Sequence, residues 1–217
     1  MSDFRCQISD LKRQLSWRTQ LTAINLPPGR VETGRCVLRR WRVQDAAALK
    51  AVLDENVAHL KPWIPWRVAA PGTVEEITAR IEQWSRDFDE GRTFIWAIWG
   101  EGGELVGGVG IYPRDVNGRV VISQADRAEI GYWLSASATG RGYATDAARE
   151  MVRIVKTIPR FRTAEMRCDP RNERSIAVPR RLGFREAGRV VQTPAAAEDP
   201  PEETVVWESA LEGAPRD

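Results

Sequence analysis

The sequence predicts a mixed α/β fold of the α+β kind, and three observations predict it. Apolar runs of strand length cluster around turn signals in the middle of the chain. Amphipathic helical stripes lie on either side of that cluster. A strand then passes into a helix through a two-glycine turn, Gly140-Arg141-Gly142. The element order reads strand, two helices, three strands, helix, strand, helix, two strands.

Residues 1–30 read as an N-terminal extension. Ile8, Leu11, Leu15 and Leu21 make a weak helical stripe that Pro27-Pro28-Gly29 breaks. Val37 to Trp41 is the first strand. Asp45 is placed to cap a helix with Ala48, Leu49, Val52 and Leu53 on one face. Residues 60–72, rich in proline and glycine, form a loop carrying Trp63 and Trp66. Thr73 opens a second helix running to about Phe88, with Val74, Ile77, Ile81 and Trp84 on a shared face. Phe94 to Trp99, the Gly102-Gly103 turn and Leu105 to Tyr112 read as a hairpin, and Asn117-Gly118 as a second turn leading to a buried strand at Glu129 to Leu134. After the two glycines, Ala144, Ala147, Ala148, Met151, Val152 and Val155 recur at buried-face spacing, and Pro159 ends that helix. Ala164 to Cys168 is a short strand. Asn172 caps a helix ending before Gly183. Phe184 to Val191 and Thr204 to Ser209 are the last strands, joined across the proline- and acid-rich stretch 194–203, with 211–217 as a tail.

A chain of 217 residues with 42% hydrophobic content can bury one full core. A net charge of +2 with basic and acidic residues interspersed gives no basic stripe, so neither nucleic acid nor a membrane surface is expected as partner. The longest apolar runs fall far short of the ~18 residues that span a bilayer. Three cysteines (Cys6, Cys36, Cys168) without paired spacing point to a reducing cytoplasm. His59 is the only histidine, so a multi-histidine metal site is impossible, and no metal is expected.

The glycine turn carries the strongest chemical signal. Bare backbone N–H groups beside a helix start, with the positive end of the helix dipole behind them, form an anion cradle next to a strand end. The plainer reading is that Gly140 and Gly142 only shape a tight turn, and spacing alone leaves both open.

Four stretches together resemble the GNAT superfamily of acyl-CoA-dependent N-acyltransferases over residues 31–210. The first is Glu129-Ile130-Gly131-Tyr132-Trp133-Leu134 followed by Gly140-Arg141-Gly142-Tyr143-Ala144. The second is Asn172-x-x-Ser175 with Arg181-Leu182-Gly183-Phe184. The third is Glu32-Thr33-Gly34-Arg35-Cys36-Val37-Leu38-Arg39. The loop Asn56-x-x-His59-Leu60-Lys61-Pro62-Trp63-Ile64-Pro65-Trp66 is similar to the branch of ribosomal-protein N-terminal acetyltransferases.

The resemblance implies a mixed, mostly antiparallel central sheet, splayed at the cofactor site and flanked by about four helices. It implies acetyl-CoA as co-substrate, with the pyrophosphate on the N–H groups of Gly140, Arg141, Gly142, Tyr143 and Ala144. The pantetheine arm would lie along strand 129–134 and against Asn172. The acceptor amine would attack the thioester directly, with the N–H of Trp133 or Leu134 at the developing oxyanion. Glu129 would take a proton from the ammonium, and Ser175 would give one to the leaving thiolate. The plainer readings are a structural carboxylate for Glu129, a helix cap for Asn172 and a polar first-turn residue for Ser175.

Two positions depart from the family pattern. Ser137 stands where a Gln or Arg usually begins the cradle. Pro179 stands where a tyrosine often serves as acid, which passes leaving-group protonation to Ser175, to water, or to nothing. Pro179 also removes the helix hydrogen bond to the Ser175 carbonyl; that carbonyl then points at a ligand or the helix only kinks, and the kink is favoured. His59, Trp63 and Trp66 would line the acceptor site; the alternative is that the tryptophans anchor the loop to the core.

Branch similarity favours a peptide or protein N-terminal amine as acceptor, in a monomer or homodimer. A small-molecule amine and a non-catalytic acyl-CoA sensor are the alternatives. A dinucleotide-binding oxidoreductase is disfavoured, because Gly107-Gly108-x-Gly110 lies in a hairpin rather than at a strand-to-helix turn.

Overall fold

The computed structural model describes residues 26–64, 72–192 and 202–211. The stripe at Ile8 to Leu21, Cys6, Trp66 and most of the stretch 194–203 lie outside the described residues. Among the described residues, eight strands form one sheet. They are β1 (Arg30–Glu32), β2 (Val37–Arg40), β3 (Phe94–Trp99), β4 (Leu105–Arg114), β5 (Arg127–Leu134), β6 (Thr163–Cys168), β7 (Arg185–Gln192) and β8 (Glu202–Ala210), in the spatial order β1-β2-β3-β4-β5-β6-β8-β7. Every neighbouring pair is antiparallel except β5 with β6, which is parallel. Among the described residues, five α-helices accompany the sheet: α1 (Ala46–Glu55), α2 (Val57–Leu60), α3 (Val74–Asp89), α4 (Tyr143–Lys156) and α5 (Glu173–Arg181). No helix among the described residues is long and apolar enough to cross a membrane.

The expected elements are present, and three details differ. A short edge strand, β1, precedes the first expected one; it pairs Arg30 to Glu32 with Arg39 to Val37. Asp45 does not cap α1 with its side chain. It closes a 3₁₀ turn at Val43–Asp45, where its carboxylate accepts from the Arg42 N–H at 2.8 Å and from both Arg39 terminal nitrogens at 2.7 and 2.8 Å. The short helix α2 occupies the start of what reads as loop. Thr73 does cap α3: its hydroxyl accepts from the Glu76 N–H at 3.2 Å, and the Glu76 carboxylate accepts from the Thr73 N–H at 2.8 Å.

Two apolar layers sandwich the sheet. Leu49 and Leu53 of α1 and Ile77 and Ile81 of α3 are buried on one face with Trp41, Ala97 and Leu105. Ala147, Ala148, Met151 and Val155 of α4 and Ile176 and Val178 of α5 are buried on the other, against Val109, Ile111 and Ile130. Strand alternation divides β5 between the two. Ile130, Tyr132 and Leu134 face α4 and α5, while Trp133 packs on the α1–α3 side.

The parallel pairing of β5 with β6 carries an unusual charge density. It brings Glu129 opposite Glu165, two carboxylates side by side on one face. Arginines neutralise them. Glu165 accepts from Arg127 at 2.7 Å and from Arg167 at 3.0 Å, and Arg127 also bridges to Glu208 at 2.8 Å. Glu129 is held by Arg114 and by Arg119 at 3.1 Å, with Arg167 at 3.8 Å. Glu165 is 1% exposed. Burial pushes its carboxyl up, but the hydrogen bonds and charges of Arg127 and Arg167 more than offset this and leave it below the usual glutamate range.

A carboxylate with a lowered pKa stabilises the fold above its unfolded pKa, and that contribution is lost as pH falls through the folded value. Glu165→Gln is therefore expected to cost about 3 kcal/mol in urea unfolding at pH 7, because it leaves partly buried arginines without their counter-charge. Its stability should also fall less steeply than that of the wild type below about pH 4, where a glutamate normally protonates. Equal stability of the two proteins at pH 7 would show that the network adds nothing to the fold.

Candidate active site

The register of β5 creates an opening. It pairs with β6 over only three positions, Arg127 with Thr163, Ala128 with Ala164 and Glu129 with Glu165. Beyond them β5 continues to Leu134 on β4, and β6 continues to Cys168 on β8. The facing edges of Ile130 to Leu134 and Met166 to Cys168 part, forming a fork. The strand read as buried is so only at Ala128, Glu129 and Ile130; Gly131 to Leu134 are half-buried, because the neighbour that would cover them has diverged. The glycines of β4 serve this strand. A Cβ on Gly108 would lie 2.6 Å from the Trp133 indole nitrogen, and one on Gly107 would collide with the Trp133 carbonyl. Their absent side chains let β5 lie close against β4.

The fork leads into the glycine turn. After a 3₁₀ turn at Ala136–Ala138, Gly140 has φ +77° and Gly142 φ +90°, both in the left-handed region that favours glycine. Gly142 is the N-cap of α4 and supplies no capping side chain. Among the described residues, no backbone carbonyl accepts from the N–H groups of Gly140, Arg141, Gly142, Tyr143 or Ala144. The tight-turn and anion-cradle readings therefore hold together: the positive φ values shape the turn, and the turn leaves those donors unclaimed.

A second polar tie holds the turn, and the sequence reading missed it. Asn56, 7% exposed at the end of α1, accepts from the Ala136 N–H at 2.8 Å and donates to the Val52 carbonyl at 2.8 Å. It fastens the α1–α2 junction to the loop before the cradle. The only signal in the sequence is a polar residue following an apolar helical stripe.

Across the fork, Asn172 caps α5, its side chain accepting from the Ser175 N–H at 3.0 Å. Pro179 sits inside α5. The carbonyl that Pro179 deprives of an N–H, that of Ser175, finds another donor: the Tyr132 hydroxyl of β5 donates to it at 2.9 Å. The phenol hydrogen is thereby used, which leaves the Ser175 hydroxyl to donate in its 3.2 Å contact with the phenol oxygen and the Cys168 thiol to donate to Ser175 Oγ at 3.4 Å. Burial raises both the Tyr132 phenol and the Cys168 thiol above their usual values, so both stay protonated at neutral pH. Tyr132 and Cys168 join the site through tertiary packing.

Glu129 and Ser175 are not brought together. Glu129 lies one residue out of phase with Ile130 and Tyr132, so it projects from the opposite face of the sheet, into the arginine network. Trp133 shares that face. Of the loop residues, His59 is half-buried on α2, and Trp63 is 40% exposed and lies outside both core clusters, whereas Ile64 packs into the α1–α3 layer.

The Tyr132–Pro179 pairing generates a test. Tyr132→Phe strands the Ser175 carbonyl and is expected to cost about 1–3 kcal/mol in urea unfolding. Pro179→Ala in the same chain restores a helix N–H and should recover most of that loss. A double variant no more stable than the single one would show that the phenol does not stand in for the missing donor.

A family model of the acetyltransferase (GNAT) domain matches residues 35–185. The chain is 25% identical over 164 residues to the [ribosomal protein uS5]-alanine N-acetyltransferase of Escherichia coli (strain K12), covering 76% of this chain and 82% of that relative. Mycobacterium smegmatis RimJ, solved in complex with CoA-disulfide, superposes with a TM-score of 0.69 at 26% identity, over 85% of this chain and 90% of that one. The microcin C7 self-immunity acetyltransferase MccE, solved with acetyl-CoA and AMP, has the same fold, with a TM-score of 0.72 at 21% identity over 86% of this chain and 98% of that one. The matched segment contains both arms of the fork and the glycine turn at its mouth, and the chain belongs to the GNAT acetyltransferase family, as an acyltransferase.

Proposed function

We propose that the protein moves an acetyl group from acetyl-CoA to a primary amine, the N-terminal amine of a peptide or protein. The observation that carries this is the fork whose open strand edge runs into unclaimed N–H donors at a helix start. A pantetheine arm has two amides that suit an unpaired strand edge, and a diphosphate suits the cradle. The bound cofactor would supply the activated thioester; the chain supplies position and protons.

Alternation along β5 assigns the backbone roles. The Ser135 N–H donates to the Val106 carbonyl at 2.9 Å, on the β4 side, so the N–H of Leu134 faces the fork and that of Trp133 faces β4. Leu134 is therefore the better oxyanion donor of the two. Asn172 holds the start of α5 beside the arm. Ser175 can turn its hydroxyl hydrogen from the phenol oxygen to the leaving sulfur, while Tyr132 keeps the backbone carbonyl filled. Glu129, on the opposite face and held there by Arg114 and Arg119, would serve the incoming ammonium from the side on which Trp133 lies. The peptide acceptor is supported by the named activity of the uS5-alanine relative and by the exposed Trp63, four residues after His59 in the chain.

Thiol release from acetyl-CoA, measured against a panel of peptides with free N-termini and a panel of small amines, tests the reading. Turnover with peptides is expected; turnover confined to small amines would overturn the acceptor class, and none with either would overturn the activity. Ser175→Ala should lower kcat roughly 10²-fold with little change in acetyl-CoA affinity, and Glu129→Gln should lower the rate at neutral pH and flatten its pH dependence. Wild-type pH profiles in both would return these residues to structural roles.

Trp63→Ala should raise the acceptor KM while leaving acetyl-CoA binding unchanged and costing under about 1 kcal/mol of stability, as expected of an exposed side chain. A loss of about 3–5 kcal/mol with normal acceptor kinetics is the signature of a core anchor, and would remove Trp63 from the acceptor site.

A further inference from the structure

Arg35 stands in the turn between β1 and β2, far in sequence from the cradle, yet its guanidinium lies directly over it. A Cβ on Gly142 would collide with Arg35 Nη1. Gly142 is thus a glycine twice over, for its φ of +90° and for the arginine that rests on it. Arg35 Nη1 is 3.4 Å from the Asp146 carboxylate, in the first turn of α4, and Asp146 also holds Arg149 at 2.6 Å. Arg141 stands at the same turn, its guanidinium 5.2 Å from the Tyr143 ring centre.

This arrangement is electrically unfavourable by itself. The start of α4 carries the positive end of the helix dipole and five backbone N–H groups with no carbonyl acceptor. Arg35 and Arg141 stand at that end and Arg149 reaches back from the second turn; among the described residues, Asp146 is the one carboxylate paired with any of them there. A cation is normally placed at a helix C-terminus, not at its N-terminus. A multiply charged anion between the guanidinium and the bare N–H groups resolves the excess, and the planar fork of an arginine suits a phosphate.

We infer that Arg35 is a cofactor ligand: resting on the acetyl-CoA reading above, it closes over the cradle and binds the diphosphate of coenzyme A from the side opposite the α4 N–H groups. Asp146 is the counter-charge that competes with the diphosphate for it. The cradle is then built from two distant segments, and the β1–β2 turn acquires a reason to lie against α4.

Calorimetry with coenzyme A on the full chain separates this from a merely structural ion pair. Arg35→Gln is expected to weaken binding roughly tenfold or more, as loss of a charge-assisted phosphate contact does. The loss should be the same with dephospho-CoA, because the 3′-phosphate is not the group held. Asp146→Asn breaks the same ion pair but leaves the guanidinium free for phosphate, so it should bind coenzyme A at least as tightly as the wild type. Equal weakening in the Arg35 and Asp146 variants would overturn the inference and leave Arg35 as a strut for the turn. So would an Arg35 variant with wild-type affinity, or one whose loss disappears with dephospho-CoA. Failure of the wild-type protein itself to bind coenzyme A would instead remove the acetyl-CoA reading, and this inference with it.

Discussion

Everything distinctive in this molecule depends on the early end of the β5–β6 pairing. Parallel strands in a sheet usually run side by side for their full length, because an unpaired edge leaves backbone donors and acceptors unfilled. Here the pairing stops after Glu129 meets Glu165. The stop is reinforced at its base by the arginines that neutralise those two carboxylates and by the Arg127 bridge to Glu208 on β8. The strands are pinned where they meet and free where they part. What parts them is the pairing of each with its other neighbour: β5 stays registered on β4, whose glycines let it lie close, and β6 stays registered on β8.

An open fork needs its two lips held at a set distance, and single side chains that cross between elements do this. Tyr132 reaches from β5 to the carbonyl that Pro179 leaves without a partner on α5. Asn56 reaches from the end of α1 to the loop before the cradle. Each contact satisfies a backbone group that the local structure cannot satisfy, so each is locally required and globally useful. The proline that removes a familiar acid from α5 is the same residue that draws a phenol to it. The chemistry near Ser175 is therefore arranged from β5 and β6 as much as from α5.

The two faces of the sheet divide the work. Tyr132, Ser175 and Cys168 lie together toward α5, while Glu129 and Trp133 project from the other side. Under the proposed function, a thioester in the fork would meet Ser175 from one face and the amine from the other. The relatives named for ribosomal-protein acetylation share the fold and family but only about a quarter of the residues, so the scaffold alone does not decide the acceptor.

The sequence by itself determined the order of elements, the helix faces, both hairpin turns, the caps at Thr73 and Asn172 and the glycine turn. All of these follow from short-range periodicity, turn chemistry and φ preference, which neighbouring residues settle among themselves. It misread what depends on partners distant in the chain. Asp45 resembles a helix cap by position, but its carboxylate goes to Arg39 and the Arg42 N–H. Gly107 and Gly108 read rightly as hairpin residues and not as a nucleotide motif, but only the fold shows that they make room for Trp133 and Leu134. Tyr132, Cys168, Asn56 and Arg35 carry no local mark of their roles, because each acts on a backbone group or a charge that only folding brings within reach. Burial and register, which decide which side of a sheet a residue faces and what waits there, are properties of the assembled fold.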